Sequence, residues 1–95
     1  MDAARLLGRV QRQEAELAGM AGADLPPVVG NALDGNIRFL MVATWALSTP
    51  GEVDMNKLVE GSRHAQAFLD DIRRRFPKKF AAMRSRGHPM PLAAQ

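Results

Sequence analysis

Between Asp34 and Pro50 the chain reads Ile37-Arg38-Phe39-Leu40-Met41-Val42-Ala43-Thr44-Trp45-Ala46-Leu47, a run that is apolar on every side. At about 3.6 residues per turn, Leu33, Ile37, Leu40, Met41, Thr44 and Leu47 fall on one stripe, and Phe39, Val42, Ala43 and Ala46 on a second stripe opposite. A helix with no polar side has to be covered all round. A membrane is excluded as the cover, because a span needs about 20 apolar residues and Arg38 on one flank and Pro50-Gly51 on the other cut this run short. The cover is therefore expected to be protein, which makes this stretch the central helix of a bundle. Burying side chains of this size is worth about 1.5–3 kcal/mol each, so Leu40→Asp and Met41→Asp are both expected to unfold the domain. A buried strand would also suit Val42, Thr44 and Trp45, but nothing else in the chain offers a strand to pair with it.

A chain of 95 residues makes one domain, close to the smallest size that buries a self-sufficient core. That size makes a homodimer or a larger homo-oligomer attractive. With no cysteine, disulfides and thiolate metal sites are excluded and nothing argues for an oxidising compartment. Asp2 and the lack of a long apolar run near the N-terminus argue against a secretory signal, so a cytoplasmic protein is expected.

Net charge is +3, a mild figure that conceals a split. Up to Ile72, six basic residues stand against all ten acids. From Arg73 onward come Arg73, Arg74, Arg75, Lys78, Lys79, Arg84 and Arg86 with no acid among them. Such asymmetry points the C-terminal segment toward nucleic acid or an acidic protein surface.

The pattern predicts an all-α fold, a small bundle of three to four helices. Helix 1 is placed at about 2–20, capped by Asp2, with Ala3, Leu6, Val10, Gln13, Leu17 and Met20 at alternating steps of three and four. This seam either faces the rest of the monomer or meets a second chain, and Leu6, Val10, Gln13 and Leu17 are the candidate oligomer or partner interface. Gly22, Pro26 and Pro27 turn the chain into the central helix, about 26–48, whose start lies near Pro26 or, on the strength of Asn31 and Asp34, somewhat later. The earlier start is favoured by Val29, Leu33 and Ile37.

Thr49, Pro50 and Glu52 resemble a capping box with a helix-starting proline, which would open helix 3 at about 50–76; Asp54 is the later alternative cap. Its stripe is Met55, Leu58, Ser62, Ala65, Leu69, Ile72 and Phe76, and its small middle at Gly61, Ser62 and Ala65 suits the bulk of Phe39 or Trp45. Pro77 restarts the chain as a short basic helix, about 77–86, with Phe80 and Met83 inward. Residues 1–87 are expected to form the single domain and 88–95 a disordered tail.

Chemistry is thinly represented. Glu60, His64 and Asp71 share a face of helix 3, but no second helix supplies further ligands, so a solvated face is the expected reading and neither metal nor cofactor is assigned. A set of Ser48 or Ser62 with His64 and Asp70 lacks the strand-turn-helix setting of a nucleophile, and no glycine-rich phosphate loop occurs. Arg63, His64 and Gln66 could serve a helix-turn-helix only if helix 3 broke at Gly61, and its seam runs through that point unbroken. Trp45 and the scattered methionines are expected in the core.

The expected function is that of a non-enzymatic, oligomeric binding or regulatory protein. Its DNA-associated contact is assigned to Arg73, Arg74, Arg75, Lys78, Lys79, Arg84 and Arg86, a plan shared in outline with small phage packaging subunits and nucleoid proteins. The alternative is a helical adaptor, chaperone or antagonist that binds a partner protein along an exposed apolar stripe.

Overall fold

The computed structural model describes residues 2–85, with side chains through Ala81. Four helices follow one another: α1 (Ala3–Ala18), α2 (Pro27–Ser48), α3 (Met55–Arg75) and α4 (Pro77–Ser85), with no strand among the described residues. The chain is a small helical bundle in which α1 packs against both α2 and α3, α2 and α3 also touch, and α4 lies on α3. No described helix is long and apolar enough to cross a membrane.

Each boundary has a local cause. The Asp2 carboxylate accepts from the Arg5 N–H at 2.8 Å and caps α1. At the other end Gly22, with φ +87°, turns the chain where a side chain would be strained. The earlier of the two starts for α2 is the observed one, with Pro27 in the first turn, where its missing N–H is harmless. At the α2–α3 connection the expected cap moves. Thr49 sends its hydroxyl backward to the Trp45 carbonyl at 2.7 Å, closing α2, and Gly51 has φ +137°. The N-cap of α3 is Asp54, accepting from the Lys57 N–H at 3.3 Å, so the helix opens one turn later than the Thr49-Pro50 signal suggests. Phe76 leaves the helical region before Pro77, as the proline demands, and α4 begins. The end of the domain proposed at residue 87, the tail over 88–95, and Arg86 lie outside the described residues.

The core is built from the α1 seam. Leu6, Val10, Leu17 and Met20 are buried together with Val29, Leu33, Leu40 and Ala43 of α2, Ala65, Leu69 and Ile72 of α3, and Phe80 of α4. Polar Gln13 is enclosed in the same seam. Its Nε2 donates to the Ser62 carbonyl at 3.1 Å and to the Gln66 Oε1 at 3.0 Å, while the Ser62 hydroxyl donates to its Oε1 at 2.8 Å. These bonds satisfy the amide at both ends and fix α1 to one register on α3. The tip of the Phe39 ring lies over Gly61, and a Cβ built there would overlap Cζ, Cε1 and Cε2. The small middle of α3 thus receives Phe39.

The expectation of all-round cover fails. The apolar middle helix is not covered all round, for Val28, Met41, Val42 and Trp45 stand 80%, 53%, 62% and 68% exposed. The face bearing Val29, Leu33, Asn36, Leu40 and Ala43 takes up the space that α1 and α3 offer, and the backbone of α4 approaches α3 alone. Met41 therefore does not share the burial of Leu40.

Candidate functional site

The residues proposed as an interface on α1 are used inside the monomer. Leu6, Val10, Gln13 and Leu17 have almost no accessible surface, because α2 and α3 both lie on that seam. Alternating steps of three and four describe a helix face that needs a partner but do not say whether the partner is in the same chain. The seam is hence corrected from an intermolecular surface to the monomer core.

The basic residues gather at the end of α3 and the start of α4, but several have acidic neighbours. Arg73 reaches Glu16 on α1 at 3.4 Å and Asp70 at 3.8 Å. Asp71 receives Arg74 through one oxygen and Arg75 through the other, the latter at 3.1 Å. Arg73 also lies 4.9 Å from the Phe80 ring centroid and Arg75 5.4 Å from that of Phe76, so the aromatic faces here serve the protein's own guanidinium groups. Phe80 is buried and offers no base-stacking platform. Among the described residues, no ion pair engages Lys78 or Lys79. Arg84 sits in α4, whose side chains are described only through Ala81.

Nor do the side chains with ligand chemistry converge. Glu60 faces Arg63 at 4.0 Å, Asp71 is taken up by the two arginines, and the described residues contain no cluster of three metal-ligating side chains. His64 borders an open groove of about 380 Å³ between α2 and α3, with Ala32, Gly35, Asn36, Phe39 and Gly61. Asn36 spends its amide N–H on the Ala32 carbonyl at 2.8 Å within its own helix. The groove is a dent where two glycines leave room, with few polar groups aimed into it.

What the fold does build is the outer face of α2. Arg38, Met41, Val42 and Trp45 stand at i, i+3, i+4 and i+7, which places them together on about two turns of helix. Three large apolar side chains thereby share one helix face with Arg38, all of them exposed. The same face continues toward the N-terminus through Gly35, Asp34, Asn31 and Val28, each also exposed. The sequence pattern puts Met41 and Val42 on opposite stripes of a helix apolar all round and so does not separate this face from the buried one, nor does it give the number of neighbours available for cover.

The fold is a small helical bundle in which one apolar face of α2 is open to solvent. Comparison with known proteins found no matching family, curated protein or solved structure.

Proposed function

We propose that this chain is a non-enzymatic helical adaptor that binds a partner protein along the outward face of α2. The observation that carries this reading is the grouping of Met41, Val42 and Trp45, three large apolar side chains exposed on consecutive turns. Contiguous apolar surface of this kind marks interaction sites, and tryptophan is enriched among the residues that dominate binding energy. A partner helix with its own apolar ridge, laid along α2, is the chemistry this surface suits. The test is site-specific photo-crosslinking in cells, with the reactive residue at position 42 or 45 and, as control, at the exposed Gln11 of α1. Discrete cross-linked products are expected from the α2 positions only. Equal yields from all three positions would refute the reading.

A second reading assigns nucleic-acid contact to the basic end. It is favoured by side chains that remain 75% exposed at Arg74 and 50% at Arg75 despite their pairing, and by Lys78 and Lys79 beside them. Exposed ion pairs are worth only about 0–1 kcal/mol, so phosphates can displace Asp71 from these arginines. Binding to a generic duplex should then weaken steeply with salt and vanish when Arg73, Arg74 and Arg75 are all changed to Ala. Absence of binding at low salt removes this reading.

A further inference from the structure

The outer face of α2 has an internal order that bears on what occupies it. Val28, Asn31, Gly35, Arg38, Val42 and Trp45 are spaced by three, four, three, four and three residues, a heptad-like seam, and all six are exposed. The seam is also palindromic in its spacing. Turned end for end and laid on itself, it sets Val28 against Trp45, Asn31 against Val42 and Gly35 against Arg38.

Building on the reading of this face as a binding surface, we propose that its occupant is a second copy of the chain, with the two α2 helices antiparallel and crossing near Gly35 and Arg38.

Charge fixes the orientation. Asp34 and Arg38 lie one turn apart on α2, yet neither is in an ion pair among the described residues. In a parallel pair Arg38 would meet Arg38 at the seam. In the antiparallel pair each Arg38 enters the space bounded by Asn31, Asp34, Gly35 and Arg38 of the other copy, at i, i+3, i+4 and i+7, the arrangement that accepts a knob. Gly35 leaves room for the stem and Asp34 supplies the counter-charge, and the contact is made twice by symmetry. A Cβ at Gly35 meets nothing within 4 Å in the monomer, so that space is unused there. The end layers place Trp45 of each copy over Val28 of the other, enclosing the two most exposed of the large apolar residues. Antiparallel helices also oppose their macrodipoles favourably.

The experiment is sedimentation equilibrium on the full chain over a concentration series, with fluorescence of the single Trp45 read in parallel. Expected are a monomer–dimer equilibrium and a blue shift of the emission as dimer forms. Asp34→Arg and Arg38→Asp should each weaken the dimer by about tenfold or more, since each sets like charges together, and the Asp34→Arg/Arg38→Asp double variant should recover most of the loss. Gly35→Leu should abolish the dimer while circular dichroism shows the monomer folded. Monomeric behaviour up to high micromolar concentration overturns the proposal, as does a dimer indifferent to these substitutions or a double variant no better than the singles. Should the chain be monomeric while positions 42 and 45 still cross-link a different protein in cells, this inference falls and the adaptor reading stands. If both experiments are negative, both fall.

Discussion

Gly61→Ala tests the α2–α3 contact with a change of one methyl group. In an unobstructed helix interior, replacing glycine by alanine is worth about 1 kcal/mol of stabilisation. At Gly61 the new Cβ would overlap the tip of the Phe39 ring. The ring is rigid beyond its two torsions, so the whole side chain must swing out of the α2–α3 contact or the helices must part. Overpacking of this sort costs about 1–3 kcal/mol, and since Phe39 is only half-buried the lower half of that range applies. The net expectation is a modest loss, up to about 1 kcal/mol, lowering the thermal midpoint by up to several degrees for a chain of this size. Gly30→Ala is the internal reference, because a Cβ there meets nothing within 4 Å and should bring the full helical gain. Urea unfolding followed by circular dichroism, at concentrations low enough to keep the chain monomeric, gives both values. The sign is the sharper test. In a Phe39→Ala background the obstruction is gone and Gly61→Ala should become stabilising, a coupling of about 1–2 kcal/mol between two residues in contact. If Gly61→Ala stabilises the parent chain as Gly30→Ala does, or if the two effects simply add, Phe39 does not rest on Gly61 and the packing of α2 on α3 is wrong.

Six further substitutions address the rest of the fold, each read by the same unfolding assay. Gln13→Ala deprives the fully buried Ser62 of its side-chain partner and should cost about 1–3 kcal/mol, more than Gln66→Ala, whose site is partly open to water. Asp2→Ala removes the α1 cap and should cost about 1 kcal/mol, detectable as fraying of the first turn in hydrogen exchange. Glu16→Ala releases Arg73 from its link to α1 but should cost no more than about 1 kcal/mol, a difference that fades with added salt. Leu40→Asp should unfold the chain, whereas Trp45→Asp should change the stability of the monomer by no more than about 0.5 kcal/mol.

The parts of the fold legible in the sequence are those fixed by short-range physics. The seams of α1 and α3, the Asp2 cap, the break at Pro77 and the fit of an aromatic ring into the small middle of α3 depend on residues a turn or two apart, or on bulk meeting a gap. Two local signals compete at the start of α2 and again at the start of α3; the earlier one prevails at α2 and the later one at α3. At α3, Thr49 can cap forward or close the preceding helix, and only the path of the chain through Gly51 decides that it bonds back to Trp45. The basic end was visible as composition, but its arginines' neighbours were visible only in part. Asp70 and Asp71 are near in sequence, whereas Glu16 arrives from a different helix.

The open face of α2 has a physical cause in the number of its neighbours. A helix without a polar side does require cover, but a bundle gives each helix only as much cover as it has neighbours. Here α1 and α3 are each amphipathic and bring one apolar face apiece, and α4 lies with α3. Two neighbours on adjacent sides enclose roughly half the circumference of a helix, which leaves the half bearing Val28, Met41, Val42 and Trp45 in solvent. The α1 seam, which might have served an outside chain, is spent on closing the monomer. The surplus apolar surface therefore emerges on α2, which among the described residues carries all the large exposed hydrophobic side chains. The demand for cover that the sequence states is thus left unmet by the folding of one chain, which is the premise of the association proposed above. A fifth helix fused so as to cover α2 should make the difference plain, abolishing cross-linking at positions 42 and 45 while raising stability. If such a fusion left both unchanged, the exposed side chains would be ordinary surface and α2 would need no partner.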